Sequence, residues 1–147
     1  MKKLAWLALV GLTVTAPVAF AADALNGSQW KTIDDKTGKP KAVVEFKEQA
    51  NGTLSATIKE LLDPAAAKVC DSCKGNLKGT SMVGLTIVTN LKQVGDNKYE
   101  GGTILDPKSG STYSLKGQVT PNGQKFELRG YKGVAALGRN QTWQRVR

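Results

Sequence analysis

Hydrophobic and polar residues alternate in short runs along most of this chain, and turn-forming residues separate the runs. The clearest example is Tyr99 to Gly117, YEGGTILDPKSGSTYSLKG. Asp106-Pro107-Lys108-Ser109-Gly110 is turn chemistry, because Pro107 pre-sets φ for a turn's second position and Gly110 accepts positive φ at little steric cost. Beyond the turn, Tyr113, Leu115, Gly117 and Val119 point one way and Thr112, Ser114, Lys116 and Gln118 the other, the period of a half-buried antiparallel strand. A single hairpin is not stable alone, so further strands must cover its apolar face.

The chain supplies them in order. Ser28 to Ile33 carries Trp30. After the polar loop Asp34 to Pro40, Ala42 to Lys47 puts Val44 and Phe46 on one face. Asn51-Gly52 is a strong hairpin signal, and it leads into Thr53 to Leu61, where Leu54, Ala56 and Ile58 share a side. From Met82, the residues Val83, Leu85, Ile87 and Leu91 share a face as far as the turn Gly95-Asp96-Asn97. The hairpin carrying Ile104, Tyr113 and Leu115 follows, then the turn Asn122-Gly123, then Phe126 and Leu128 alternating with Lys125, Glu127 and Arg129. A last strand from Arg139 to Val146 puts Gln141, Trp143 and Arg145 on one face. Glycines at 101, 102, 117 and 130 inside these runs point to bulges or sharp bends. Eight strands joined mostly by short turns predict an all-β fold, an eight-stranded antiparallel up-and-down barrel, with a two-sheet sandwich as the alternative. Consecutive hairpins favour the barrel.

From Leu62 to Ser81 the alternation stops. Asp63, Pro64 and the three alanines after them read as an N-cap, an N1 proline and one helical turn. Cys70 and Cys73 offer a covalent staple. The loop is expected to cover one end of the barrel and to be its most mobile part, with lysines at 68, 74 and 78.

The N-terminus changes the setting. Met1-Lys2-Lys3 is a positive n-region, Leu4 to Leu12 an apolar h-region and Ala19-Phe20-Ala21 a small-x-small cleavage site, so residues 1–21 read as a secretory signal peptide. Thr13, Thr15 and Pro17 interrupt the run short of a membrane span. Residues 22–147 then form a single domain, periplasmic or secreted, with no transmembrane segment after cleavage. Without Lys2 and Lys3 the chain keeps 19 basic and 12 acidic side chains, a net charge of +7. That charge favours anionic partners such as lipid head groups or acidic polymers. The scattered lysines lack interleaved stacking aromatics, which argues against nucleic acid.

The sequence contains no histidine, which removes histidine-based triads, histidine metal ligands and the usual pH switch. In an exported chain Cys70 and Cys73 are expected to form a disulfide. The closed loop is so short that the bond is worth about 2 kcal/mol at most, so replacing both cysteines by serine is expected to leave the barrel folded. A thiol-disulfide exchange site is the sharper alternative, with Lys68 and Lys74 lowering a thiolate pKa, but redox motifs of this type open a helix after a strand. Two sulfurs without histidine do not make a zinc site. Asp34 and Asp35 lie in a polar loop and Asp106 caps a turn, so no carboxylate pair calls for acid-base catalysis. No cofactor, metal or catalytic residue is expected. Trp30 and Trp143 lie on the first and last strands, neighbours in a closed barrel, and Arg145 is placed to lie over an indole.

The segments GSQWKTIDDKTGKPKAVVEF, CDSCKG, GGTILDPKSGSTYSLKG, LRGYKG and LGRNQTWQRV resemble the exported bacterial family called domain of unknown function 2147. The resemblance implies a lipocalin-like eight-stranded barrel of unestablished function. Lipocalins carry Gly-x-Trp on the first strand and a late basic residue packed over that Trp. Similarity gives those roles to Trp30 and to Arg139 or Arg145. Gly27-Ser28-Gln29-Trp30 has one residue too many for that motif, and no C-terminal helix follows the last strand.

These readings lead to a non-enzymatic periplasmic binding module. It would hold a small, largely apolar ligand in a barrel lined by Trp30, Val44, Phe46, Leu54, Ile58, Leu85, Ile87, Ile104, Tyr113, Leu115, Phe126, Leu128 and Trp143. An envelope protein that meets anionic lipid or polymer through its basic surface is the second reading. A CxxC oxidoreductase is the third.

Overall fold

A computed structural model describes residues 10–17 and 19–147 of the chain. The n-region and most of the h-region of the expected leader lie outside the described residues. Among the described residues no helix is long and apolar enough to cross a membrane.

Eight strands follow one another as β1 (Gln29–Ile33), β2 (Pro40–Glu48), β3 (Leu54–Leu61), β4 (Thr86–Gly95), β5 (Lys98–Asp106), β6 (Ser111–Val119), β7 (Lys125–Tyr131) and β8 (Arg139–Arg145). Each pairs antiparallel with the next, and β8 pairs back with β1 to close a barrel. Closure leaves no free sheet edge to manage. The up-and-down order gathers the β2–β3, β4–β5 and β6–β7 turns at one end. The β1–β2, β3–β4, β5–β6 and β7–β8 loops meet at the other.

Period two fails in β4, and the register shows why. Thr86 pairs with Thr57 and Val88 with Ala56, while Leu91 pairs with Leu54, so β4 carries more residues than β3 across the same span. Those are bulges, and each one moves the apolar set to the other phase. Val83, expected beside Leu85 and Ile87 on the core face, is instead half exposed ahead of the strand, while Val88 is buried. A further bulge lies at Gly101, between the pairs Tyr99↔Gly117 and Gly102↔Leu115.

The β3–β4 loop also departs from expectation. Asp63 caps a turn, its carboxylate accepting the Ala65 N–H at 2.9 Å and its carbonyl the Ala66 N–H at 3.0 Å, but no helix forms at the alanines, and a 3₁₀ turn comes later, at Gly75–Leu77. The remainder is tied to itself and to the barrel. Val69 bridges Ser81, the Cys70 N–H donates to the Thr80 carbonyl, and the Gly79 N–H donates to the Cys70 carbonyl, both at 2.8 Å. The Cys70–Cys73 disulfide forms and both cysteines lie within the hydrophobic core cluster. The loop therefore belongs to the packed body of the protein.

It docks on the β5–β6 turn. The Cys70 sulfur lies 3.6 Å from the Pro107 carbonyl oxygen. Gly110, at φ +72°, sits so close to the Ser72 carbonyl that a Cβ there would overlap it. Glycine at 110 thus serves both the turn and the docking of the stapled loop.

Candidate functional site

The barrel interior divides into two halves of different character. The half toward the β2–β3, β4–β5 and β6–β7 turns is filled with aromatic rings. Phe126 stands at its centre, with ring centroids 5.8 Å from Phe46, 5.9 Å from Trp143, 6.0 Å from Trp30 and 6.2 Å from Tyr99. All five side chains are fully buried. Glycine at 117 makes this possible, since a Cβ there would come within 2.6 Å of the Phe126 ring.

An N-terminal strap seals this half. Leu25 is fully buried. Ser28 Oγ accepts the Trp30 indole N–H at 2.6 Å and donates to the Leu25 carbonyl. The Tyr99 hydroxyl donates to Asp23 at 2.7 Å and accepts the Ala24 N–H at 3.1 Å. Burial first, and the Asp23 carboxylate second, push the Tyr99 phenol well above its ordinary pKa, because both disfavour a phenolate. Arg145 lies 4.9 Å from the Trp30 ring centroid and donates to the Gly123 and Ala24 carbonyls, each at 2.6 Å. Among the described residues no buried side-chain polar atom is left without a partner. This half is core.

The other half ends in a partly exposed mouth, although Ala42, Ile58, Leu85 and Ile87 are buried within it. Leu115 and Leu128 form its buried floor. Above them Ile104, Tyr113 and Gln141 are half-buried, facing inward. Gly130 completes the wall, and a Cβ there would touch Tyr113 and Ile104 at 3.6 and 3.7 Å, ordinary contact distances. Gln141 accepts the Trp143 indole N–H at 2.9 Å through its oxygen, which leaves its NH₂ as the group able to donate. At the rim Arg139 forms an ion pair with Asp35 on the β1–β2 loop, and Asp35 is the main cause of an Arg139 pKa raised above the ordinary value. The pair joins two walls whose strand register stops short of the rim, at Lys31↔Gln144. Lys132 Nζ stands 5.0 Å from the Tyr113 ring centroid.

The residues expected to line one cavity are thus shared between two environments. Trp30, Val44, Phe46, Leu54, Phe126 and Trp143 pack against one another with no exposure to speak of. Ile58, Leu85 and Ile87 are buried in the same core cluster as the disulfide. Leu115 and Leu128 are the floor, and Ile104 and Tyr113 face the open mouth. Of the two arginines, Arg145 lies over Trp30 and Arg139 sits at the opposite end. Sequence alternation missed Tyr99, because the bulge at Gly101 puts it out of phase with Ile104. It missed Leu25 because the strap has no period at all. On the outer face of β5–β8 a depression of about 420 Å³ is lined by Lys98, Glu100, Lys116, Glu127 and Arg129 among others, a mixed-charge surface.

The sequence profile of a family described as an uncharacterised protein conserved in bacteria, DUF2147, matches residues 28–145, the whole barrel. This chain belongs to the DUF2147 family. Among curated proteins, none matches its sequence. A solved structure similar to this DUF2147 member is protein HP1028 from Helicobacter pylori, described as belonging to the lipocalin family. It is 27% identical with a TM-score of 0.73, over 84% of this chain and 83% of that one. The lipocalin-like architecture is therefore common to both, while the site chemistry of the DUF2147 member must be argued from its own side chains.

Proposed function

We propose that this DUF2147 member is an exported, non-enzymatic binding protein that seats the apolar part of a small molecule in the open half of its barrel. The observation that carries the reading is the half-buried pair Ile104 and Tyr113 flanking Gly130 above an apolar floor. Apolar walls with a few polar groups at the rim are what small-molecule sites are made of. The lipocalin-like fold supports binding over catalysis, and so does the absence of histidine from the sequence. Asp34 is committed to a turn and Asp35 to an ion pair. Cys70 and Cys73 are buried, which favours a structural disulfide, since exchange needs a sulfur that a second thiolate can reach. The leader read at residues 1–21 supports export.

Native mass spectrometry of the protein purified without denaturation from the envelope of its producing cell tests the reading. A reproducible adduct lost on denaturation is expected. A clean apo mass from several growth conditions would contradict it.

A further inference from the structure

The exposed apolar side chains of the barrel are unevenly placed. Val69, Leu77 and Val83 lie in the β3–β4 loop, and Val134 and Leu137 in the β7–β8 loop, with Leu137 79% and Val134 59% exposed. Both loops belong to the open end. In the barrel at the sealed end Val94 and Val146 are exposed, and Val10, Leu12, Val14 and Phe20, in the segment read as a cleaved leader, are exposed as well.

These residues are held in place. Arg129 donates to the carbonyls of Ala135 and Ala136 and to Asn140 Oδ1, fixing the turn that presents Val134 and Leu137 to solvent. In the other loop the Thr80 hydroxyl donates to the Leu77 carbonyl at 2.6 Å, on a segment stapled by Cys70–Cys73. A protein that spends an arginine and a disulfide on positioning exposed aliphatic groups has a surface for them to enter.

The neighbouring charges identify that surface. Lys68 precedes Val69, Lys74 and Lys78 flank Leu77, Lys132 lies two residues before Val134, and Lys108 is at the tip of the β5–β6 turn; all are exposed. Among the described residues none of them is in an ion pair. The acidic groups at this end are largely engaged: Asp34 faces Lys41 at 3.6 Å, Asp35 faces Arg139, and Asp106 caps its own turn. Asp71 stays exposed on the stapled loop. Aliphatic side chains beside lysines that are in no ion pair match a bilayer interface, where the apolar groups enter the headgroup boundary and each lysine near anionic lipid adds about 1 kcal/mol.

We propose that the open end of the barrel docks on an anionic lipid bilayer, with Leu77, Val83, Val134 and Leu137 entering the headgroup layer and the surrounding lysines meeting lipid phosphates. Docking does not require a ligand in the mouth. It would place the mouth against the membrane, so that an apolar molecule could pass between bilayer and barrel without crossing water.

The test is co-sedimentation of the purified protein with vesicles of phosphatidylglycerol and phosphatidylcholine in equal parts, against vesicles of phosphatidylcholine alone. Binding to the anionic vesicles at low salt, weaker by about tenfold or more on neutral ones, is expected. The double variant Val134→Ser, Leu137→Ser is expected to weaken it by about tenfold or more, and the triple variant Lys74→Glu, Lys78→Glu, Lys132→Glu by about a hundredfold or more. The sealed-end variant Val94→Ser, Val146→Ser is expected to bind as the parent does. All substituted positions are exposed, and an unchanged circular dichroism spectrum confirms each fold. Absent binding, equal binding to neutral vesicles, indifference to Val134→Ser, Leu137→Ser, or an equal loss in the sealed-end variant would overturn the proposal. So would self-association that the open-end variants abolish without any vesicle binding, which would make a second copy the occupant. A vesicle result leaves the native mass of the ligand complex untouched, so the two readings fail separately.

Discussion

Arg145, on the last strand, lies with its guanidinium 4.9 Å from the centroid of the Trp30 ring on the first. The contact spans the seam at which β8 closes the barrel on β1, where Trp30 and Arg145 are register partners. The same guanidinium donates to the Ala24 carbonyl in the strap and to the Gly123 carbonyl in the β6–β7 turn. One side chain therefore fastens the seam, the strap and a turn.

Arg145→Lys tests that role. A lysine keeps the charge but loses the planar fork that serves two carbonyls while stacking on an indole. A loss of about 2 kcal/mol in urea unfolding is expected, from the cation-π contact and the charged hydrogen bonds together. Arg139→Lys, in an exposed ion pair at the other end, is expected to shift the unfolding midpoint far less.

The disulfide gives a second test. Its short loop accounts for about 2 kcal/mol, but Cys70 and Cys73 lie in the core cluster at 1% and 3% exposure. Serines there bury hydroxyls as well, each costing about 1–3 kcal/mol if unpaired. The double serine variant is expected to lose about 4 kcal/mol, and the double alanine variant visibly less. Equal, small losses in both would return the staple to a merely local role.

Acid should weaken the β1–β2 loop through Asp34. The N–H groups of Thr37 and Lys36 donate to its carboxylate at 2.8 and 2.9 Å, with Thr37 the larger influence, and its pKa falls from 3.8 to about 2. A carboxyl whose folded pKa is depressed stabilises the fold above its unfolded pKa and loses that contribution as pH falls through the folded value. Asp34→Asn keeps an acceptor for both N–H groups but cannot titrate. The parent's advantage over this variant is expected to be flat above pH 4 and to shrink between about pH 4 and pH 2, as read by thermal unfolding at each pH.

Eight strands and their order were legible because period two and the turn residues at Asn51-Gly52, Asp106-Pro107 and Asn122-Gly123 are local signals. The bulges in β4 and at Gly101 were harder, since a one-residue insertion looks like noise until the partner strand is known. That is why Val83 was placed inside and Tyr99 was overlooked. The division of the interior could not be read at all. Whether Phe126 fills a cavity or lines one depends on Gly117 and Leu25, which approach it only in three dimensions. The disulfide's burial was hidden for the same reason, because it depends on Gly110 far along the chain.

The central claim is that a ligand enters the open half of the barrel and no further. Gly130→Leu addresses it most directly, because a Cβ at 130 already touches Tyr113 and Ile104, so a longer side chain must take up the space beside them at the mouth. The measurement is native mass spectrometry of this variant beside the parent, both purified from the envelope of the same producing cells. The expected result is an adduct on the parent and a bare chain for Gly130→Leu, with an unchanged circular dichroism spectrum showing that the variant is folded. An adduct retained at full occupancy on a folded Gly130→Leu would put the ligand elsewhere and contradict the claim.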